Sequence, residues 1–456
     1  MDIALVNPGP APGNTPLKKE PLGLAFLAAY LEKHGYEVCI IDEISGAHAE
    51  TELLAHRPKF VGITAMTMFV PRAYQIADFV KRELDATVIM GGVHPSARPE
   101  ESLGHCDAVV TGEGEKALLD IVTNNSVKHG EKKIIHGAML ENLDELPPPS
   151  RHLIDMAFYL RQKDQISGSR RKTASLLTSR GCPFSCVFCH NSLRKIPVRY
   201  QSASRVVAEV EYLVKKYGIK GLAITDECFT GNKNRVRDIC SLLVEKGLDT
   251  LKWECQAQAG TLDENIITLL KKAGCDQVAL GFESGSQRIL DVLEKGTRVD
   301  VCRRTIRLCN DGGIRVRGCF IVGTPSETEE DIALTEKFID ENKIDFVSIH
   351  FLTPYPSTKL WQQCKGAAGP DGRVDWGQFT TGNPFIQPCN TAIAPERQRE
   401  IFERLQIKYV FRNYSLLLLA WQGIKQPREV VNYVHRFVRL VFFKVKNLVS
   451  PSHGKR

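Results

Sequence analysis

The chain has 456 residues, 43% of them hydrophobic and 25% charged, with a formal charge of +7. Such a composition belongs to a globular protein of several domains and excludes a collagen, a low-complexity chain or a disordered polyelectrolyte. The basic excess is too small for this length to argue for nucleic acid.

The first residues, MDIALVNPG, lack the basic and apolar blocks of a secretory leader, so a cytoplasmic protein is expected. In a reducing compartment its 14 cysteines are not expected to form a disulfide framework. Strand and helix patterns then alternate. DIALVN (2–7), YEVCIID (36–42), KFVGITAM (59–66), ATVIMGG (86–92) and DAVVTGEGE (107–115) read as strands. PLGLAFLAAYLEKHG (21–35) and YQIADFVKREL (74–84) have helical periodicity, the first ending at a glycine stop. Alternating βα units predict a doubly wound, flavodoxin-like (Rossmann-like) parallel sheet over residues 1–125, with ligands at the strands' carboxyl ends. The run ENLDELPPPSRHL (141–153) holds three consecutive prolines, and 126–170 reads as a linker.

A second alternation fills 171–365. Its strands are 174–180, 220–226, 251–257, 276–282, 315–322 and 344–350, separated by helices such as 204–218 and 263–274. Six units predict a partial (β/α)6 TIM barrel with its chemistry at the strand carboxyl ends. Residues 366–456 read as a mainly helical C-terminal region, with a helix over 395–414.

After the first barrel strand comes SRGCPFSCVFCHNS (179–192), in which Cys182, Cys186 and Cys189 follow the spacing C-x3-C-x2-C. A zinc site usually closes on four ligands, often from two C-x2-C pairs, and only one such pair occurs here. For three cysteines alone, a structural metal site is the plainer alternative. A [4Fe–4S] cluster held by three cysteines leaves one iron open to a chelating ligand. In this barrel setting the motif resembles that of the radical S-adenosylmethionine (AdoMet) superfamily, with Phe188 as the aromatic before the last cysteine. The resemblance implies that the open iron takes the amino and carboxylate groups of AdoMet. It also implies reductive cleavage of AdoMet to a deoxyadenosyl radical, with the electron coming from a donor such as flavodoxin or ferredoxin.

Further motifs are similar to those of the superfamily. ITDECFT (224–230) places Asp226 and Glu227 where relatives hold the AdoMet amino group; a capped strand end explains them equally well. GFESGS (281–286) resembles G-x-E-S-G, so Glu283 and Ser284 are implied to meet the ribose or the methionyl carboxylate. GCFIVGTPSET (318–328) resembles G-x-I-x-G-x-P, which implies adenine packing by Ile321 and Val322. One departure stands out: Gln258 in ECQAQAG (254–260) occupies the place of an arginine that many relatives carry. An amide cannot pair with a carboxylate as a guanidinium does, so another donor is expected.

The N-terminal pattern resembles the cobalamin-binding domains fused to such enzymes. That resemblance implies contacts from Pro8, Gly9, Thr64, Thr67, Gly91, Gly92, His94, Gly112 and Glu113. Gly91 and Gly92 leave room for a nucleotide tail, and Thr64 and Thr67 offer hydroxyls beside it. The loop NPGPAPGN (7–14) has no histidine in place of the D-x-H-x-x-G motif, so cobalamin is expected without a histidine lower ligand. For His94, a loop cap or a tail contact fits better than ligation. A degenerate scaffold that no longer binds cobalamin is the plain alternative.

The longest aliphatic run, SLLLLAW (415–421), is shorter than the ~20 residues that cross a bilayer. Residues 428–449 interleave Arg436, Arg439, Lys444 and Lys446 with apolar residues. They are a candidate for peripheral membrane contact or for gripping a lipid-like substrate, although packing on the barrel is the simpler reading. The resemblance implies a cobalamin-dependent methyltransferase acting on an unactivated carbon of a small-molecule or lipid-like substrate. The alternatives are a cyclase or rearrangement enzyme using cobalamin without methyl transfer, a methylthiotransferase, and a non-catalytic iron–sulfur or cobalamin sensor.

Overall fold

The computed structural model describes residues 1–10, 19–161, 171–194, 196–364, 374–381, 389 and 392–410. The segments 415–421 and 428–449 lie outside the described residues, as do 411–414 of the expected helix.

The N-terminal strands are β1 (Ile3–Asn7), β2 (Val38–Asp42), β3 (Phe60–Thr64), β4 (Thr87–Gly91), β5 (Ala108–Gly112) and β6 (Lys133–Gly137). They form one parallel sheet in the order β2-β1-β3-β4-β5-β6. Strands buried on both faces need apolar side chains throughout, and β1 is buried at all five positions. β6 lies inside the stretch read as a linker. Its sequence, KIIHG, is too short and polar to stand out, yet it closes the sheet by pairing with β5.

The rest of that stretch is also committed to the fold. Arg151, buried, donates to Ser175 O and to Glu209 Oε1, both at 2.8 Å, and lies 3.8 Å from Glu20 Oε1. Glu20 in turn accepts from Ser175 N. Tyr159 donates to Asp42 at the end of β2. These bonds pin the connection to both sheets at once.

The second sheet opens with β7 (Thr173–Leu176). A short antiparallel pair, β8 (Ser179–Arg180) and β9 (Arg199–Tyr200), brackets the cysteine loop. Then follow β10 (Gly221–Ile224), β11 (Lys252–Ala257), β12 (Cys275–Glu283), β13 (Arg315–Val322) and β14 (Phe346–Phe351). The order β14-β13-β12-β11-β10-β7 is parallel throughout, which makes a six-stranded partial barrel. Alternate residues such as Trp253, Val278, Phe320 and Ile349 pack against the helices in one core. The intervening ones, Glu254, Gln277, Arg317, Cys319 and His350, face the other side, where Glu254 bonds Gln277 and Arg317.

Beyond the barrel, the turn Trp376–Gln378 reaches back to the N-terminal sheet, where Trp376 donates to Glu101 at 2.6 Å. The helix Pro395–Leu405 and the turn Gln406–Val410 pack on β14. Cys364 and Cys389 are paired as a disulfide, against the expectation from compartment; the other twelve cysteines are thiols. No helix among the described residues is long and apolar enough to cross a membrane.

Candidate functional site

The cysteine loop is held from several sides. Asn191 Nδ2 donates to Cys182 O at 2.7 Å, and Val187 N to Leu293 O at 3.1 Å. Below it, Asp226 is fully buried and accepts from the backbone and hydroxyl groups of both Thr178 and Ser179. Its carboxylate is spent on the strand that leads into the loop, which corrects its expected role toward AdoMet. Glu227, the next residue, is exposed at the surface, yet desolvation by the surrounding protein pushes its carboxyl above the usual range.

Burial raises all three cysteine thiols, Cys182 to about 11. Thiolates here therefore need a bound cation to stabilise them. Among the described residues no three His, Cys, Asp or Glu side chains converge on a single ion. A cluster whose irons each take one thiolate suits three cysteines carried on one short loop.

Above the loop, β12 carries a bulge between Gly281 and Glu283, and Glu283 has φ +61. The bulge turns the Glu283 carboxylate inward to meet Lys295 Nζ at 2.6 Å. A Cβ on Gly281 would lie 2.9 Å from that Nζ and collide with the carboxylate, so the pair needs glycine there. Burial works against the Lys295 charge, but Glu283 outweighs it and the ammonium is held more firmly than usual. Lys295 also lies 5.8 Å from the Phe188 ring centroid. Gln258 donates from Nε2 to Lys295 O at 3.0 Å and so positions the loop that carries the lysine.

Lys295 thus sets a cation beside Glu283 and Phe188, on a loop whose backbone Gln258 holds. Sequence reasoning passed over it because it follows Glu283 by twelve positions, in a loop at the end of an ordinary amphipathic helix. Glu327 was missed too: it accepts from Gly323 N at 2.7 Å and Thr324 N at 3.2 Å, and burial raises it to about 8.

Two expected AdoMet contacts point elsewhere. The Ser284 hydroxyl bonds Thr335 Oγ1 and accepts from Ser286 N. Val322 packs in the helix-facing core, because strand alternation sends it opposite to Ile321. Ile321 does face the rim, packed with Leu352 and Leu360 and close to Phe188.

On the N-terminal sheet, Gly9 N donates to Glu43 Oε2 at 2.8 Å, which fixes the turn after Pro8. Ala65 N donates to Gly91 O, locking the β3 turn, with Thr64 and Thr67, against the β4 turn. Gly92 has φ +97, and a Cβ there would lie 2.7 Å from Thr64 Oγ1. The close cradle of Gly91 and Gly92 suits a thin ligand tail. His94 does not reach this rim: it is fully buried, edge-on to Trp376 at 4.7 Å and 3.7 Å from Glu101. Gly112 lies at the exposed end of β5, but Glu113 is engaged elsewhere. It meets Arg199 NH2 at 2.5 Å, Arg180 at 3.3 Å and Leu140 N at 2.9 Å, while Arg180 also bonds Glu115. This clamp sets the carboxyl end of β5 directly against the strands that bracket the cysteines.

A parallel sheet with a glycine cradle, docked on a partial barrel that presents three cysteines, defines a class of two-cofactor α/β enzymes. The family models agree: the radical SAM superfamily matches residues 176–339 and the B12 binding domain matches 13–122. A protein of Pyrococcus horikoshii named as an uncharacterized methyltransferase is 34% identical over 391 residues, spanning 80% of this chain and 83% of that one. The anaerobic magnesium-protoporphyrin IX monomethyl ester cyclase of Rubrivivax gelatinosus is 27% identical over 450 residues, 91% and 77% of the two chains. Among solved structures, the methyltransferase TsrM from Kitasatospora setae, with cobalamin and [4Fe-4S] cluster bound, shares the fold. Its TM-score is 0.65 at 23% identity, over 81% of this chain and 76% of that one. The cobalamin-dependent AdoMet radical enzyme OxsB gives a TM-score of 0.72 at 18% identity, over 99% and 73%. The chain belongs to the cobalamin-binding radical AdoMet family, whose cofactors are a [4Fe–4S] cluster, AdoMet and cobalamin.

Proposed function

We propose that this protein methylates an unactivated carbon of a small-molecule or lipid-like substrate by radical chemistry. The observation that carries this reading is the Glu113 clamp, which brings the two ligand-bearing rims together. The kinship with a methyltransferase over most of both chains supports the reaction type. When bound, the cluster supplies an electron to cleave AdoMet and cobalamin supplies the methyl group.

Cys182, Cys186 and Cys189 would hold the cluster. The Glu283–Lys295 pair offers an anion and a cation to the zwitterionic end of AdoMet, with Glu227 across the cleft and Phe188 and Ile321 beside the adenosine. Thr64, Thr67, Gly91 and Gly92 would line the cobalamin site, with the ends of β1 and β5 near Gly9 and Gly112. The side chains Cys319, Ser348 and His350 lie on the barrel face opposite the helix-packed core and would contact substrate. Burial lowers the His350 pKa, so its imidazole is neutral at pH 7 and can accept a hydrogen bond or a proton. An external one-electron donor such as flavodoxin or ferredoxin completes the reading.

The test is product analysis of the anaerobically reconstituted, reduced protein with isotopically labelled AdoMet across a substrate panel. Wild type is expected to form 5′-deoxyadenosine and S-adenosylhomocysteine and to label the product's new methyl group. Cys186→Ala is expected to abolish deoxyadenosine while retaining corrinoid. The 91% coverage by a cyclase relative favours a second reading, radical ring closure without methyl transfer. Deoxyadenosine with substrate consumed but no label gained would select that reading and overturn methylation.

A further inference from the structure

In a chain expected to keep its cysteines as thiols, the pair that is joined among the described residues sits beside the cysteine loop. Cys364 ends the helix Lys359–Gln363 and is bonded to Cys389, 25 positions further on. Both are half-buried, within reach of a soluble thiol. They pack against Ile321, Leu352 and Leu360, an apolar group that Phe188 also joins. The same short helix holds the cysteine loop from its other end. Lys359 N donates to Ser192 Oγ at 3.1 Å, and Leu360 N donates to Val187 O at 3.0 Å. Lys359 Nζ meets Glu294 at 2.6 Å, so the helix also reaches the turn that carries Lys295. Trp361, midway along it, packs on Trp376 with ring centroids 5.7 Å apart. Trp376 lies within the stretch that the sulfur–sulfur bond closes. A helix of five residues thus connects that bond to two backbone contacts on the cysteine loop.

We infer that Cys364 and Cys389 are a redox-active thiol pair whose oxidation state sets how firmly the cysteine loop is held. A cross-link restricts the chain it closes. This one closes the stretch that carries Trp376, and it fixes the end of the helix that bonds Val187 and Ser192. Joined, the pair braces the loop. Opened, it frees the carboxyl end of the helix, and the contacts made by the first turn weaken with it. The co-reactant is a dithiol, or two molecules of a monothiol such as glutathione. One thiolate attacks a sulfur of the pair to form a mixed disulfide, and a second thiol displaces the first. The pair gains two electrons and two protons and becomes two thiols, while the reductant leaves as a disulfide. The braced state therefore accompanies a shortage of electrons, and the loosened state accompanies a supply of them.

The test is amide hydrogen exchange of the cluster-loaded full chain, held anaerobically in reduced or oxidised glutathione. Alkylation and mass spectrometry report the state of Cys364 and Cys389 in the same samples. In oxidised glutathione the two are expected to be joined to each other, and the amides of 184–192 to exchange several-fold more slowly than in the reduced buffer. The Cys364→Ser/Cys389→Ser variant is expected to exchange at the faster rate in both buffers. Free thiols at both positions in oxidised glutathione would overturn the inference, as would equal exchange of wild type in the two buffers. A variant that still slows in oxidised glutathione would overturn it too, by assigning the effect to other cysteines. Should the variant hold no cluster, wild type decides across a series of glutathione ratios. Exchange of 184–192 is expected to track the fraction of the pair that is joined, and a mismatch overturns the inference.

Discussion

The two sheets present opposite kinds of carboxyl-end rim. The N-terminal rim is built from glycines, threonine hydroxyls and bare apolar side chains, and His94 beside its glycine cradle is buried. The barrel rim is crowded with titratable groups: three cysteines, Glu227 and the Glu283–Lys295 pair. Both rest on the same parallel βα architecture. The contrast shows that this scaffold leaves rim chemistry almost free, and that the turns after each strand decide it. One rim suits a broad uncharged ring, the other a small zwitterion at a metal cluster.

That contrast can be broken most severely at Lys295. Lys295→Met leaves Glu283 buried without its cation, a change that costs about 3–5 kcal/mol in comparable pairs. Deoxyadenosine formation and AdoMet affinity are expected to fall together while bound corrinoid is unchanged, with Lys295→Arg restoring much of both. Loss of corrinoid in Lys295→Met would show that the rims are not chemically separate.

Gly92→Ala is the reciprocal test. It forces a side chain into a left-handed turn and against Thr64, at a cost of about 1–3 kcal/mol. Corrinoid content measured by absorbance is expected to drop while substrate-independent AdoMet cleavage persists.

The smallest effect belongs to the clamp between the rims. Burial alone would raise the Glu113 carboxyl, but Arg199, the Leu140 amide and Arg180 outweigh it and the net shift is downward. A lowered pKa means stability present above the ordinary glutamate range, near ~4.3, and lost as pH falls through the folded value. Arg199→Ala should therefore lower the melting temperature at pH 7 by a few degrees, equivalent to about 1 kcal/mol, because Arg180 and the Leu140 amide still hold Glu113. The difference from wild type should shrink toward pH 3. An undiminished difference there would mean that Arg199 acts through packing.

Much of this was legible from sequence because parallel strands covered on both faces leave unbroken apolar runs. β13 occupies the expected 315–322 without adjustment. The cysteine loop was legible because its spacing is local. What sequence concealed depends on three-dimensional partners. Asp226 and Glu227 are adjacent and both acidic, yet just past the end of β10 one is buried under Thr178 and Ser179 and the other is exposed. Lys295 becomes informative only once the bulge at Glu283 turns toward it. β6 reads as a linker because a five-residue edge strand carries little periodicity of its own.

The buried Arg151 has a consequence for how the chain comes apart. Its guanidinium joins the segment between the sheets to Ser175 on β7, to Glu209 on a barrel helix and to Glu20 ahead of the first helix. Separating the sheets would strand charges on both sides in apolar surroundings, so the two should melt in one cooperative step. A cut near residue 140 that follows the visible topology would yield two fragments with exposed cores and unmatched ions. The boundary between the sheets is thus a boundary of connectivity and not of thermodynamics, and a graft of either sheet onto another protein would have to carry this segment with it.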